Sequence, residues 1–284
     1  MKTYEVKRPA ALDLDSWNHE FHDVMLGDTV RMNAFKIAIQ SQVKEGDVVL
    51  DLGTGTGILA KIALEAGASK VYGIEFNKDI LDVARKDLKK FGNRFVPILG
   101  NSINVELPER VDVVISETIG NFADNENCVL FLKDAKKRFL KNSGIMIPNS
   151  VIQMMAPVSV PIVQEKIGQM DSLNYYETVI PRENYVAGAV VVNEFLFDEY
   201  EDIEYNKRVI FHINKKDTLI TGFKGWFVAK LDDNVVIDTE EVKEDSSWNH
   251  FYIPIKPLHV VGGADIRVWI KKYNGDYQIT CKSI

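Results

Sequence analysis

Apolar residues in the first half of the chain form short runs that alternate with segments of helical period. Runs rich in Val, Ile and Leu between turn residues predict strands, and these are at 48–52, 71–76, 95–99, 111–116 and 144–147. Helical patterns are at 26–39, 58–66, 77–91 and 126–140. Alternating strands and helices imply right-handed crossovers. This half is therefore predicted to be an α/β fold with a doubly wound, mostly parallel sheet.

The pattern changes after Pro148. Runs of β-branched and aromatic residues follow at 209–213, 219–231, 248–255, 264–273 and 277–281. Asn274-Gly275 is a strong hairpin signal, so this half is predicted to be an antiparallel, β-barrel-like domain. Residues 163–176 carry the one helical pattern in it. We predict two domains, 1–148 and 149–284, that pack tightly without a low-complexity linker.

Composition and charge narrow the class of protein. The 284 residues are 46% hydrophobic and 26% charged, values typical of a globular chain. The net charge is −7, and nearly all of it lies in residues 151–284, which hold 14 basic and 20 acidic side chains. Nucleic-acid affinity comes mainly from Lys and Arg. An acidic chain with no basic block is therefore a poor candidate for binding nucleic acid.

Membrane and metal-binding classes are also disfavoured. No apolar run approaches the roughly 18 residues of a membrane span, and the first five residues begin no signal-peptide core. We therefore expect a soluble, cytoplasmic protein. Cys128 and Cys281 are far apart, and neither belongs to a CxxC motif or a Cys/His cluster. We interpret both as core or incidental thiols and expect no metal.

A glycine-rich turn follows the first predicted strand, in the sequence VVLDLGTGTG at 48–57. Glycines permit positive φ and close approach to a ligand, and an acid ending the next strand is placed to bind a ribose diol. A dehydrogenase loop reads GxGxxG, whereas GxGxG with an acid two residues ahead resembles the S-adenosylmethionine site of class I methyltransferases. A merely structural turn is the alternative. The candidate cofactor residues are Asp51, Gly53, Thr54, Gly55, Gly57 and Glu75.

Two glutamates follow the fourth predicted strand. Glu117 comes at the ligand side of a doubly wound sheet, and Glu126 stands nine residues later. The Ser-Glu dipeptide, the glycine three residues on and the spacing of the glutamates resemble the double-E loop of the protein arginine methyltransferases. Residues 66–75 and 22–31 are similar to that family's second-strand region and cofactor-covering helix. The resemblance is close over residues 15–150.

The resemblance implies a fold, a cofactor and a reaction. It implies a divergent, short, bacterial-type member with a Rossmann-like domain and N-terminal cofactor-covering helices, followed by a β-barrel-like acceptor domain with a reduced helical arm near 163–176. It implies S-adenosylmethionine as cofactor, S-adenosylhomocysteine as product, and a homodimer. The acceptor would be a guanidinium nitrogen of arginine, in a peptide, in a protein or free.

The chemistry of a guanidinium explains the need for two carboxylates. Its pKa lies above about 12 and its nitrogens are poor nucleophiles. Glu117 and Glu126 would clamp it by bidentate hydrogen bonds and align one nitrogen with the sulfonium methyl. Two close carboxylates repel each other, so a cation makes both anions tolerable. A pair of solvated loop glutamates is the alternative.

Further residues are assigned to the cofactor by the resemblance alone. Arg31 would pair with the methionyl carboxylate, and Met25 would pack near the sulfonium. Alternatively, Arg31 lies on the exposed face of an ordinary amphipathic helix. Ser102 and Ile103 stand where the family has an acid for the adenine amino group, with Asn101 or Ser102 as the substitute.

The acceptor side departs from the family. The candidate acceptor residues are Trp17, His22 and Trp248, although His22 is equally well read as a structural histidine. Asp13 and Trp17 stand at the family's two tyrosine positions, and Ser247 replaces the histidine of its Thr-His-Trp loop. Methyl transfer is therefore expected to be retained, while the acceptor need not be a protein arginine.

Several alternatives stay open at this point. A small guanidine or amine metabolite is the alternative acceptor. An inactive scaffold and an NAD-dependent dehydrogenase are rivals of other classes. The acidic second half would favour a cationic acceptor through its long-range field, although residues 194–205 fit a solvated surface equally well.

Overall fold

A computed structural model of the protein describes residues 4–9, 27–197, 202–215, 217–242, 246–273 and 275–284. The helices are α1 (Thr29–Gln42), α2 (Ile58–Glu65), α3 (Lys78–Asp87), α4 (Cys128–Arg138) and α5 (Pro161–Ile167). The strands up to the middle of the chain are β1 (Val6–Lys7), β2 (Val48–Leu52), β3 (Lys70–Glu75), β4 (Phe95–Leu99), β5 (Val111–Ile115), β6 (Leu140–Ile147) and β7 (Ser150–Val158). The later strands are β8 (Tyr176–Thr178), β9 (Val190–Phe195), β10 (Tyr205–His212), β11 (Thr218–Lys230), β12 (Val236–Asp238), β13 (His250–Val260), β14 (Asp265–Tyr273) and β15 (Asp276–Ser283).

A five-stranded parallel sheet occupies the first half, in the order β4-β3-β2-β5-β6. Its neighbouring strands all pair in parallel. β2 and β5 are buried along most of their length, as expected for aliphatic strands in a sheet covered on both faces. The strand order reverses at β2, and ligands of open α/β sheets bind beyond the carboxyl ends of the strands at such a reversal. The predicted α/β class is confirmed, and the crevice is expected beyond β2 and β5.

The second half is antiparallel, as predicted. One sheet has the order β1-β8-β13-β11-β7-β9, with β12 paired to β11, and a second sheet has the order β10-β14-β15. Tyr273 pairs with Asp276 and Gly275 has a φ of +79°, so the hairpin predicted between β14 and β15 is confirmed. The sheet type changes between Ile147 and Ser150, yet β1 joins the antiparallel sheet from near the N-terminus. The domain limits therefore stay a prediction.

The helix predicted over 163–176 is much shorter than expected. The structure places α5 at Pro161–Ile167, and β8 begins at Tyr176. The intervening segment contains Gly, Asp, Ser and Asn, whose conformational freedom and side-chain hydrogen bonds to the backbone favour turns over helix. Strands β7 and β9, which no sequence pattern indicated, flank this region.

Aromatic packing joins the loop that follows β5 to the antiparallel half. Phe122, in that loop, stacks on Phe251 of β13 with ring centroids 4.9 Å apart. Tyr175 stacks on the same Phe251 at 4.0 Å, and Tyr277 of β15 meets it edge-on at 5.3 Å. All four side chains are almost completely buried. The loop between the two candidate catalytic glutamates therefore rests on the antiparallel sheet.

Candidate active site

A cavity of about 240 Å³ opens at the carboxyl edge of the parallel sheet, next to the reversal of strand order. The predicted site residues that line it are Arg31, Gly53, Thr54, Gly55, Glu75, Asn101, Ser102, Glu117 and Glu126. Asp51, Gly57, Ile103 and Trp248 are described by the structure but do not line this cavity. Most of the residues predicted from the sequence therefore meet in one place.

The glycine loop depends on left-handed backbone conformations. Gly53, Gly55 and Gly57 have φ angles of +73°, +54° and +84°, which L side chains rarely adopt. Gly57 is also the N-cap of α2, and a Cβ there would lie 2.8 Å from a methyl of Leu88. The turn therefore requires glycine for conformation and for packing.

Asp51 stabilises the glycine loop through hydrogen bonds. Its Oδ2 accepts hydrogen bonds from the Thr54 hydroxyl at 2.6 Å and from the Ala60 N–H at 3.0 Å. Burial, with a smaller contribution from Glu75, raises the pKa of Asp51 to about 7. The sequence placed this acid at the cofactor, whereas the structure places it where it holds the loop and the first turn of α2.

Glu75 ends β3 and faces the cavity. Its two carboxylate oxygens accept hydrogen bonds from the Gly55 N–H at 3.0 Å and the Asn77 N–H at 2.9 Å. The carboxylate is thus held in a fixed position between the loop and the start of α3. The next residue, Phe76, lines the cavity while remaining 66% exposed. Sequence reasoning missed Phe76, because nothing in its neighbourhood distinguishes it from an ordinary surface residue.

Glu117 and Glu126 stand at the two ends of a tightly folded loop between β5 and α4. Inside the loop, the Phe122 N–H donates to Asn125 Oδ1 at 2.8 Å, and the Val129 N–H donates to Asp124 Oδ1 at 2.9 Å. These bonds bring both glutamates to the cavity. The alternative of two solvated loop glutamates does not fit this placement, since the Glu117 side chain is 9% exposed and Glu126 is partly buried.

The electrostatic environment of Glu126 disfavours its charge. Burial, then the nearby carboxylates of Glu177 and Glu117, raise the pKa of Glu126 to about 8, and Arg31 opposes the shift. The side chain is therefore largely protonated at neutral pH without a bound cation. A cation in the cavity would favour its ionised form.

Arg31 is buried and fixed by several partners. Its Nη1 donates to Glu117 Oε2 at 2.8 Å, and its Nε lies 3.5 Å from Asp28 Oδ2. Its Nη2 donates to Ser247 Oγ, and the guanidinium lies 3.5 Å from the ring centroid of Trp248. At 3% exposure, Arg31 does not lie on a solvated helix face. Its placement beside Glu117 orients that carboxylate.

The segment at 246–250 supports this arrangement. Asp28 Oδ2 accepts a hydrogen bond from the Ser247 N–H at 3.2 Å, and the Trp248 Nε1–H donates to the Ile119 carbonyl at 3.1 Å. His250 is buried away from the cavity, where its Nδ1 accepts from the Ile180 N–H at 2.7 Å. Burial lowers the pKa of His250 to about 3, so it is a neutral structural residue.

Glu177 is a further acidic residue that sequence reasoning missed, and it acts on Glu126 without itself lining the cavity. It lies on β8 with 4% exposure and raises the pKa of Glu126. It is 51 residues beyond Glu126 in a short strand, and no sequence motif marks it. Only the pairing of β8 with β13 brings it to the loop.

Some predictions fall outside the described residues. Trp17, His22, Met25 and Asp13 lie in the segment 10–26, so their roles stay predictions. Within the described ranges, no group of three His, Cys, Asp or Glu side chains is arranged to hold a metal ion. The helices in the same ranges include none long and apolar enough to cross a membrane.

Sequence comparisons identify related proteins. Residues 43–207 match a family model described as a methyltransferase domain. Protein arginine N-methyltransferase PRMT10 of Arabidopsis thaliana is 38% identical over 52% of this chain and 39% of its own length. Protein arginine N-methyltransferase 6 of Danio rerio is 36% identical over 51% and 43%, and protein arginine N-methyltransferase 1 of Dictyostelium discoideum is 32% identical over 65% and 54%. The chain spans about half the length, or less, of these curated relatives. The resemblance to protein arginine methyltransferases that was predicted from the sequence is confirmed.

Solved structures share the fold. Protein arginine methyltransferase 10 of Arabidopsis thaliana superposes with a TM-score of 0.81 at 23% identity, over 92% of each chain. A PRMT1 enzyme-prozyme heterotetrameric complex with AdoHcy from Trypanosoma brucei gives a TM-score of 0.80 at 19% identity, over 94% of this chain and 98% of that one. The likeness extends over the antiparallel half as well as the parallel sheet.

Proposed function

Since the chain belongs to the methyltransferase-domain family, we propose that it is an S-adenosylmethionine-dependent N-methyltransferase acting on a guanidinium nitrogen. The relatives' names point to arginine in a protein, and a peptide or free arginine presents the same group. The observation that carries the proposal is that the glycine loop, Glu75 and two glutamates line a single cavity.

The donors and acceptors at the cavity fit S-adenosylmethionine. When bound, this cofactor supplies an electrophilic methyl group on a sulfonium. Glu75, Asn101 and Ser102 line the cavity, and in this proposal Glu75 would accept from the ribose diol while Asn101 and Ser102 would contact the adenine. Arg31 supplies a cation for the methionyl carboxylate, while Gly53 leaves the loop backbone open to the ligand. The product S-adenosylhomocysteine would occupy the same site. The proposed reaction requires no metal.

The glutamates prepare the acceptor. Arg31 holds Glu117 in a buried ion pair, so one carboxylate of the clamp is oriented before the acceptor arrives. Glu126 completes the clamp, and a guanidinium between the two carboxylates would be held by charge-assisted hydrogen bonds. Fixing one nitrogen in line with the methyl group is the main catalytic contribution expected here, because alignment can supply roughly 7–11 kcal/mol in such steps.

Proton transfer also fits Glu126. The accepting nitrogen must lose a proton when it gains a methyl group. A bound guanidinium favours the ionised form of Glu126, and the burial and neighbouring carboxylates that raise its pKa make that carboxylate a better proton acceptor than an ordinary one. An oxygen of Glu126 is therefore the proposed destination of that proton.

A small amine or guanidine metabolite is the second candidate acceptor. It is favoured by Ser247, which occupies the position of the family's histidine and is engaged by Arg31 and Asp28. Because the Ser247 hydroxyl is hydrogen-bonded within the protein, the segment at 246–250 presents a different surface to the acceptor from that of the family's Thr-His-Trp loop. The acceptor side is therefore open to a molecule other than a protein arginine.

The two remaining alternatives find less support. A dehydrogenase needs a His, Tyr or Lys beside the cofactor to move a proton, and no described residue lining the cavity is of these types. An inactive scaffold would have no need for two partly buried glutamates that line the same cavity as the cofactor loop. We also propose a cytoplasmic location and a homodimer. The dimer is suggested by the Trypanosoma brucei PRMT1 enzyme-prozyme complex, which is heterotetrameric.

Two measurements test the proposal. Isothermal titration with S-adenosylhomocysteine should show binding of one ligand per chain. Incubation with S-adenosylmethionine and a panel of arginine, guanidines, amines and arginine peptides should add the mass of one methyl group to at least one acceptor. Absence of cofactor binding would refute the proposal. Binding without any methylated product would favour the scaffold.

A further inference from the structure

Strand pairing places Glu177 on the sheet face that supports the loop between Glu117 and Glu126. Glu177 in β8 lies directly opposite Phe251 in β13. Residues opposite each other in an antiparallel pair point to the same face of the sheet. The Phe251 ring stacks on Phe122 of that loop. The Glu177 side chain therefore stands on the face that packs against the loop.

The charge of Glu177 acts on the clamp. Among the charged groups that affect Glu126, Glu177 has the largest effect on its pKa, ahead of Glu117. Burial, and then the charges of Glu177 and Glu126, raise the pKa of Tyr175, which stacks on Phe251. The antiparallel half thus adds a third carboxylate to the acceptor side, with Arg31 as the one described cation that opposes its effect on Glu126.

We propose that Glu177 is a specificity-determining residue, which makes the acceptor site select cations that carry no carboxylate of their own near the cationic group. This inference rests on the proposed function and names the acceptor class of the same site. On the acceptor side the carboxylates of Glu117, Glu126 and Glu177 face Arg31 and Lys7, which stands opposite Glu177 in β1, so an excess of one negative charge is left when all are ionised. A monocation with a neutral chain reduces that excess. A zwitterion brings its own carboxylate into a negative field and is repelled.

Agmatine and arginine are a matched pair of probes for this selection. They share the guanidinium and the methylene chain, and arginine differs by the α-carboxylate. Arginine blocked at both termini, as N-acetylarginine amide, removes the charge of the carboxylate while keeping the bulk. We therefore expect agmatine and the blocked arginine to bind more tightly than arginine.

The test is calorimetric titration of each probe into protein saturated with S-adenosylhomocysteine. Wild type should bind agmatine roughly tenfold more tightly than arginine, the size expected of one like-charge repulsion at partly buried distances. Glu177→Gln should reduce this ratio to below about threefold, and Glu177→Asp should keep it. Glu45→Gln is the control of equal charge change, since Glu45 is exposed just before β2, at the opposite edge of the parallel sheet.

The pH dependence of agmatine binding distinguishes an electrostatic role of Glu177 from a merely structural one, because a structural role would leave that dependence unchanged. The groups that act on or respond to Glu126 are Arg31 on α1, Glu117 after β5, Cys128 on α4, Tyr175 before β8 and Glu177 on β8. Removing the charge of Glu177 lowers the pKa of Glu126, so the rise of agmatine affinity with pH should move to lower pH in Glu177→Gln. It should stay in place in Glu45→Gln.

The outcomes separate this inference from the proposed function. If S-adenosylhomocysteine binds but wild type treats agmatine and arginine alike, or binds neither, the inference is overturned whether or not any variant folds. An unchanged ratio in a folded Glu177→Gln also overturns it. If S-adenosylhomocysteine fails to bind, the proposed function fails, and the ratio measured on the free protein still decides the charge selection.

Discussion

The cofactor side and the acceptor side of the cavity differ in how far apart their residues stand along the chain. On the cofactor side, Gly55 donates to Glu75 across 20 residues, and Thr54 donates to Asp51 across three. On the acceptor side, Arg31 reaches Glu117 across 86 residues and Ser247 across 216. One side is a local strand-turn-helix unit, while the other is assembled from distant segments.

This difference teaches where changes in the chain are tolerated. The glycine loop is built by residues that are neighbours along the chain. Its positive φ angles and its hydrogen bonds depend on one another, so a change at one loop residue affects the whole loop. The acceptor side draws residues from α1, the loop after β5, β8 and the segment before β13. We therefore expect that substituting one of them, such as Ser247, changes the acceptor side without disturbing the cofactor loop.

The sharpest test of this separation is Glu126→Gln. It should lower methyl transfer by at least about 100-fold, because one of the two charges that hold and deprotonate the acceptor is lost. The affinity for S-adenosylhomocysteine, measured by calorimetry, should change little. A parallel loss of cofactor affinity would show that the two sides are not separable.

Next in size is the pair between Lys272 and Asp124. Lys272 Nζ on β14 donates to Asp124 in the loop between the glutamates, and both side chains are buried. Lys272→Met leaves Asp124 buried without this partner, so the free energy of unfolding should fall by about 3 kcal/mol in urea titrations. The exposed Lys271→Met on the same strand is the control and should have little effect. Equal stability of both variants would contradict a structural role for the pair.

On the cofactor side, Glu75→Gln should weaken S-adenosylhomocysteine binding by about 10- to 100-fold, because a charged acceptor contributes about 1.5–3 kcal/mol to its hydrogen bonds. Thermal stability should fall only slightly, since the amide oxygen can still accept from a backbone N–H. Calorimetry and thermal unfolding measure the two effects. A loss of agmatine binding in this variant, with cofactor affinity unchanged, would reverse the assignment of the two sides.

Stability against pH reports on Glu126 without any ligand. Its folded pKa of about 8 lies above the ordinary value near 4.3, so between these values the folded state binds more protons than the unfolded state. Stability contributed by the protonated form is therefore lost as the pH rises from about 4.3 to 8. Glu126→Gln does not titrate, so its melting temperature relative to wild type should rise by several degrees between pH 5 and pH 8. A constant difference would mean that the pKa of Glu126 is not raised.

The smallest effect is expected for Ser247→Ala. It removes one acceptor from Arg31, while Glu117, Asp28 and Trp248 still hold the guanidinium. A loss of about 1 kcal/mol in the orientation of Glu117 would reduce kcat/KM by roughly fivefold. Steady-state kinetics with the best acceptor from the panel measures it, and Ser246→Ala on the same segment is the comparison. A loss as large as that of Glu126→Gln would place Ser247 in the chemistry itself.

The sequence by itself was sufficient for the parallel sheet and for the cofactor loop. A local hydrophobic pattern predicts each strand and helix of that half. The loop residues are neighbours along the chain, and their residue types indicate the backbone conformation of the loop. Glu117 and Glu126 were picked out by the resemblance of their loop to that of a known family, and the structure places both at the cavity. The part that Asp51 plays in holding the loop was not evident from the sequence, because a motif shows that an acid is needed but not whether its carboxylate faces the ligand or the loop.

Only the tertiary structure decided how the acceptor side is built. The position of Glu177 depends on the pairing of β8 with β13, and the contact of Arg31 with Ser247 depends on the packing of α1 against the segment before β13. Short antiparallel strands such as β8 carry little pattern of their own, and their pairing is fixed by burial and by neighbours far away in the chain. The charge that surrounds Glu126 is a property of that assembly, so no local stretch of sequence contains it.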